Sequence, residues 1–144
     1  MQPSGNNLKN VTVQLDGTLV AVDDFEKWPV NAHADDDEYS NFFQLNECEN
    51  VVFTGGNDGK GCIEGQGIGW WDRAILPQLF GKLKGKRPKL LCFSRGQHLT
   101  IENIHLHNSP SFHLILKDVK DVEVRSCSWA PTDGAVLSHE YCSR

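Results

Sequence analysis

Three stretches of this chain follow one template. Phe42-Phe43-Gln44-Leu45 is followed by Val51-Val52-Phe53, Leu90-Leu91-Cys92-Phe93 by Leu99-Thr100-Ile101, and His113-Leu114-Ile115-Leu116 by Val122-Glu123-Val124. In each, a short apolar strand is answered nine residues on by a second strand of pattern apolar-x-apolar, and Cys48, Gly96 and Val119 mark the same step between them. The N-terminus supplies a partial fourth copy, Leu8 and then Val11-Thr12-Val13. The last two full copies are 23 residues apart, and at that offset Ile104-x-Leu106 is echoed by Cys127-x-Trp129. The earlier gaps of 40 and 48 residues read either as two turns or as one turn with an insertion.

Strands this short cannot each close a core, but they can stack. Stacking aligns Val11, Val51, Leu99 and Val122 in one inward ladder and Val13, Phe53, Ile101 and Val124 in another, because alternate residues of a strand share a face. The expected fold is therefore an all-β parallel solenoid. Helical folds need apolar-periodic runs of ten or more residues, and only Trp70 to Leu83 approaches that length, interrupted by Pro77 and Gly81. Four repeats satisfy the usual minimum for such a stack. No amphipathic capping helix is visible at either end, so the outermost rungs are expected to be exposed.

Composition narrows the function classes. With 144 residues the chain fits one domain. Its mean hydropathy of −0.42 and lack of a long apolar run predict no membrane span. A net charge of −5 gives no field for nucleic acid or an anionic membrane. Met1 to Asn7 shows neither a basic nor an apolar segment, so no signal peptide is read there. Cys48, Cys62, Cys92, Cys127 and Cys142 form no Cys-x-x-Cys pair. Buried apolar thiols, with room for one disulfide, are expected, and an odd count leaves at least one thiol free or partnered elsewhere.

Several motifs, in order, carry a resemblance. They are Asn7-Leu8-Lys9-Asn10-Val11-Thr12-Val13-Gln14-Leu15-Asp16-Gly17, Cys62-Ile63-Glu64-Gly65-Gln66-Gly67-Ile68-Gly69-Trp70-Trp71, Arg87-Pro88-Lys89-Leu90-Leu91, and Leu99-Thr100-Ile101-Glu102-Asn103-Ile104 running into Asn108-Ser109-Pro110-Ser111-Phe112-His113-Leu114. Together, over about residues 6–131, they resemble the polygalacturonases, the pectin-cleaving family 28 of the glycoside hydrolases, with residues 132–144 a divergent tail. The resemblance implies a right-handed, single-stranded parallel β-helix of about four to five coils. It also implies secretion to the cell wall, no cofactor, a monomer, and inverting hydrolysis of α-1,4-galacturonan.

Inversion requires a general acid and a general base about 6.5–9.5 Å apart, leaving room for the attacking water. The family draws these from an Asn-Thr-Asp-Gly motif and a following Asp-Asp pair, and adds Gly-His-Gly and Arg-x-Lys motifs. Here Pro131-Thr132-Asp133-Gly134 is the candidate for the first, which makes Asp133 the candidate catalytic carboxylate. Pro131 stands where the family has Asn, and the spacer after Ala130-Pro131 is missing. The alternative for Asp133 is an ordinary Asp-Gly turn. The later motifs are absent, so the chain reads as the N-terminal portion of a catalytic domain with little or no hydrolysis of its own. A non-catalytic solenoid binding acidic polysaccharide is the alternative. A pectate lyase shares the fold class, but nothing here supplies its calcium-ligand cluster and Arg base.

Other residues read more plainly. Asp23-Asp24 is expected to form a turn and Asp35-Asp36-Asp37 a solvated acidic loop. His98, His105, His107 and His113 are expected as turn and ladder residues rather than metal ligands. Trp70-Trp71 should pack over the solenoid rather than stack on sugar. Lys82, Lys84, Lys86, Arg87 and Lys89 should form a solvated loop. Asn10-Val11-Thr12 is an N-glycosylation sequon, usable in a secretory compartment.

Overall fold

The computed structural model describes residues 4–31 and 38–130. Four coils stack as a right-handed parallel β-helix with three faces. The first coil contributes β1 (Ser4–Asn6), β2 (Lys9–Gln14) and β3 (Thr18–Val20). A small antiparallel ribbon follows, β4 (Val30–Asn31) with β5 (Glu38–Tyr39). The second coil comprises β6 (Phe43–Asn46), β7 (Glu49–Thr54) and β8 (Cys62–Glu64), and then the helices α1 (Ile68–Ile75) and α2 (Pro77–Phe80). In the third, one strand, β9 (Leu91–Glu102), runs over two faces before β10 (His105–His107). The fourth repeats this with β11 (Leu114–Arg125) and β12 (Ser128–Ala130).

The inward ladders pair as the spacing requires. Val11, Val51, Leu99 and Val122 are successive partners, as are Val13, Phe53, Ile101 and Val124. Leu106 aligns with Trp129 on the third face. Val11 pairs directly with Val51 across 40 residues and Val51 with Leu99 across 48, so both wide gaps are single turns with an insertion. Both insertions, residues 21–42 and 65–90, leave from the corner between the third face and the first. The same corner in the third coil takes only residues 108–113.

The core is densest in the two middle coils. Phe53, Leu99, Ile101, Ile63 and Leu106 are buried, and Phe53 meets Phe43 and Phe93 edge-on at centroid distances of 5.3 and 6.0 Å. Such edge-to-face contacts add to what area burial alone contributes. Among the described residues, Leu116 and Val124 on the fourth coil are exposed.

The bend between the first and second faces is built from left-handed residues. Asn7, Glu47, Arg95 and Asp118 hold its first position, and Asn10, Asn50, His98 and Asp121 its second, all with φ between 51° and 56°. That region favours short polar side chains that can bond locally. Between the two positions Gly96 lies so close to the second coil that an added Cβ would stand 2.7 Å from the Cys48 carbonyl oxygen. The third coil needs a glycine at this step because backbone meets backbone, whereas the second and fourth coils carry Cys48 and Val119 there.

The helical segment follows the sequence signals with one shift. α1 begins at Ile68, two residues before Trp70, and yields to α2 at Pro77, whose ring suits a helix start. Gly81, with φ 86°, ends α2. Trp70 joins Trp28, Tyr39 and Ala21 in a second buried cluster that ties the two insertions together. Trp70 meets Phe25, Trp28 and Tyr39 at 4.6, 5.5 and 4.7 Å, each edge-on. Its Nε1 has no partner among the described residues, so ring packing alone holds it.

Candidate active face

Outward-pointing residues of the first face form a continuous polar row. Asn6, Asn46, Ser94 and Lys117 occupy one register position in the four coils, because Leu45 and Phe93 beside them turn inward. Hydrogen bonds run along and across the row in one sense. Asn41 Nδ2 donates to Gln44 Oε1 (2.6 Å), Gln44 Nε2 to Asn46 Oδ1 (2.7 Å), and Asn46 Nδ2 to Asn6 Oδ1 (2.9 Å). Gln44 Nε2 also reaches Ser94 Oγ at 3.4 Å, and Lys89 N donates to Asn41 Oδ1. The carboxamides are thus held in fixed orientations before any ligand arrives. The surface offers neutral donors and acceptors, with the exposed Lys117 ammonium at one end. This chemistry suits a polyhydroxylated, anionic chain.

The row escaped a sequence reading keyed to apolar residues, although a signal was present. Asn46, Ser94 and Lys117 stand at the same step of the repeat template, four residues after its first member. The outward positions Gln44, Asn46, Cys92, Ser94, Ile115 and Lys117 include no carboxylate. The described part of the face therefore offers binding groups but not an acid–base pair.

Asp133 lies outside the described residues, as do Asp35, Asp36, Asp37 and Cys142. The chain reaches Asp133 from Ala130, whose carbonyl accepts from Asn108 N (2.9 Å) and from His113 Nε2 (3.3 Å). Ala130 is thus anchored at the corner that opens onto the first face. Burial holds the His113 imidazole below its ordinary range, with repulsion from His107 acting in the same direction.

The remaining singled-out residues fall as follows. Asp24 Oδ1 accepts from the Glu26 and Lys27 backbone N–H groups and its carboxylate pairs with Lys27 at 2.6 Å, which depresses its pKa. That is the expected turn. His98 lies 3.6 Å from Asp121 in the left-handed bend. His105 Nε2–H donates to the Gly59 carbonyl (2.9 Å), leaving Nδ1 to accept from Ser128 Oγ. Cys48, Cys62 and Cys92 are free thiols, and burial pushes Cys48 and Cys62 upward.

The basic stretch is solvated as expected at Lys82, Lys84 and Lys86, while Arg87 and Lys89 are drawn in against neighbouring segments. Lys84 pairs with Glu26 (2.5 Å) and Lys89 with Glu38. The Arg87 guanidinium lies 3.9 Å from the Trp71 ring centroid and donates to the Pro110 carbonyl (2.8 Å). Glu26 and Glu38 lie on the other insertion and Pro110 on the next corner, so their spacing in sequence gave no warning of them. Trp70 packs as expected. Trp71 remains 41% exposed, donating its indole N–H to the Ser109 carbonyl at 3.0 Å. A cleft of about 430 Å³ opens between the insertions, but its charges are mostly matched internally, as with Glu26 and Lys84, and Arg73 over Phe25.

Comparison with known proteins gives these observations a context. Residues 2–135 match the sequence profile described as "Glycosyl hydrolases family 28". An endo-polygalacturonase of Pectobacterium carotovorum subsp. carotovorum is 35% identical over 68 residues, covering 42% of this chain and 17% of the relative. A polygalacturonase of Juniperus ashei is 29% identical over 115 residues, covering 78% and 20%. The chain thus spans about a fifth of the length of these relatives. A hyperthermoactive exopolygalacturonase from Thermotoga maritima superposes with a TM-score of 0.65 at 21% identity, over 88% of this chain and 36% of that one. An endo-xylogalacturonan hydrolase from Aspergillus tubingensis gives 0.68 at 17% identity, over 89% and 31%.

Proposed function

The chain belongs to glycosyl hydrolases family 28, and on that premise we propose that it lays an α-1,4-galacturonan strand along the first face of the solenoid as part of an inverting polygalacturonase. The observation that carries this reading is the pre-oriented row Asn41, Gln44, Asn46 and Ser94, ending at Lys117. Carboxamides match sugar hydroxyls in both donor and acceptor roles, and an ammonium matches a uronate carboxylate. Asp133 is assigned as one of the two carboxylates that inversion requires, protonating the leaving glycosidic oxygen or activating water on the opposite side of the ring. One carboxylate cannot do both, so this reading requires a second one, which the described residues of the first face do not supply. The protein works as an extracellular monomer on cell-wall pectin and engages neither nucleic acid nor membrane. Among the described residues no helix is long and apolar enough to cross a membrane.

A second reading, a solenoid that binds acidic polysaccharide without cleaving it, draws support from the lack of a carboxylate among the face residues named above. Affinity electrophoresis through polygalacturonate, with a reducing-end assay alongside, separates the two. Retention by the wild-type chain is expected, with a several-fold loss of affinity in Lys117→Gln and in the double variant Gln44→Ala, Asn46→Ala. Reducing ends should stay at background for 1–144. Hydrolysis should appear when the chain is extended by the missing motifs, and should vanish again in Asp133→Asn. Absence of retention would overturn the binding face. Hydrolysis unaffected by Asp133→Asn would overturn the assignment of Asp133.

A further inference from the structure

Two side chains at the corner beside the first face keep binding capacity that the fold does not use. Trp71, on α1, is 41% exposed, although its neighbour Trp70 is buried. Its indole N–H donates to the Ser109 carbonyl (3.0 Å), and the Arg87 guanidinium covers one ring face at 3.9 Å from the centroid. The exposed area therefore belongs to the opposite face and the far edge, and the ring cannot turn inward without losing both contacts. Arg87 in turn gives one N–H to the Pro110 carbonyl (2.8 Å) and meets no carboxylate among the described residues. Its neighbours Lys84 and Lys89 each hold a glutamate. A guanidinium carries five N–H donors in a planar fork, so most of this one is open to a ligand, and burial works against its charge. Both residues stand where the polar row begins. Two residues past Arg87, Lys89 N donates to Asn41 Oδ1 (3.0 Å), the first member of that row. Ser109 and Pro110 belong to the corner that leads into β11.

We propose that Trp71 and Arg87 form a uronate subsite at the edge of the polar row, with one pyranose of a galacturonan chain packed on the open indole face and the carboxylate of an adjoining residue on the Arg87 fork. The inference rests on the galacturonan reading above. The C3, C4 and C5 hydrogens of a galacto-configured pyranose share one side of the ring, which gives the sugar an apolar patch to set against an aromatic face. A carboxylate accepts two parallel N–H bonds from a guanidinium, and the charge on both partners strengthens them. Methyl esterification removes that charge and leaves the apolar patch intact. Trp71 therefore contributes affinity for either form of the polymer, and Arg87 separates the free acid from the ester. The carboxamide row has no such means of discrimination, because neutral donors and acceptors meet hydroxyls that both forms share.

The test is affinity electrophoresis of the full chain through polygalacturonate and through its methyl-esterified counterpart, with tryptophan fluorescence followed while oligogalacturonate is added. Trp71→Ala should lose affinity several-fold in both gels. Trp71→Phe, which still offers a ring to stack on, should keep most of the affinity and lose the ligand-dependent fluorescence change. Arg87→Gln should bind polygalacturonate several-fold more weakly and the ester almost as well as wild type, whereas a merely structural role would weaken both alike. Unchanged affinity in Trp71→Ala, a fluorescence change that persists in Trp71→Phe, or an equal loss for both polymers in Arg87→Gln would each overturn the subsite. Retention that is weakened by Gln44→Ala with Asn46→Ala, but not by Trp71→Ala or Arg87→Gln, sinks this inference alone. Absence of wild-type retention sinks the galacturonan reading and the subsite with it.

Discussion

The stacked rungs and the two insertions solve the same problem, burial of apolar surface, by opposite means. The rungs repeat one small geometry, so each apolar residue meets its counterpart one coil away, as Val51 meets Val11 and Leu99. The insertions meet once and irregularly, Trp70 gathering Phe25, Trp28 and Tyr39 from far along the chain. Repetition gives a core that propagates along the axis. The unique cluster gives a wall beside the polar face that is fastened to the solenoid at few points, among them Arg87 on Pro110 and Trp71 on Ser109. Damage should therefore spread from a rung and stay confined in an insertion.

The largest effect is expected from Phe53→Ala. Its ring is 1% exposed between Phe43 and Phe93, and truncating a buried aromatic costs about 3–5 kcal/mol. Urea denaturation should show the whole transition moving to lower denaturant. Trp70→Ala, as large a truncation, should cost no more than about 2 kcal/mol of global stability, because the insertions can open as a local unit. Limited proteolysis should instead show new cleavage within residues 21–42 or 65–90 while the strands stay protected. If Trp70→Ala collapses the solenoid as fully as Phe53→Ala, the two regions are one cooperative unit.

The smallest effect sharpens the comparison at the corner itself. His113 is held below its ordinary pKa by burial, so the unfolded chain binds a proton more readily than the folded one. Its contribution to stability is complete above the unfolded-state value near 6.5. It should fade as pH falls from there through the depressed folded value. Thermal midpoints at pH 7 and pH 5 should differ by less in His113→Gln than in wild type. Equal differences would remove His113 from the account.

How much the sequence disclosed follows the same division. The ladders of Val11 and Val13 could be paired in advance because alternation and a repeated offset leave a strand one register in which its apolar set faces inward. The second cluster could not be read, because nothing in the local pattern links Trp28 or Tyr39 to Trp70. The 40- and 48-residue gaps stayed ambiguous for a related reason, since a repeat fixes where strands pair but not how much chain lies between them. The polar row was present in the template at Asn46, Ser94 and Lys117 and went unread, because outward positions place no demand on the core. Arg87 and Lys89 read as part of a solvated run because their partners Pro110 and Glu38 are remote in sequence.

The three steps between successive coils use 40, 48 and 23 residues, yet each advances the stack by one parallel strand pairing. Most of the surplus leaves through one corner, so length there is decoupled from pitch. Such a corner is where a lineage can add or delete sequence without re-registering a single rung, and where a designer could graft a foreign loop beside the polar face. The short 108–113 corner is the vacant slot in that series.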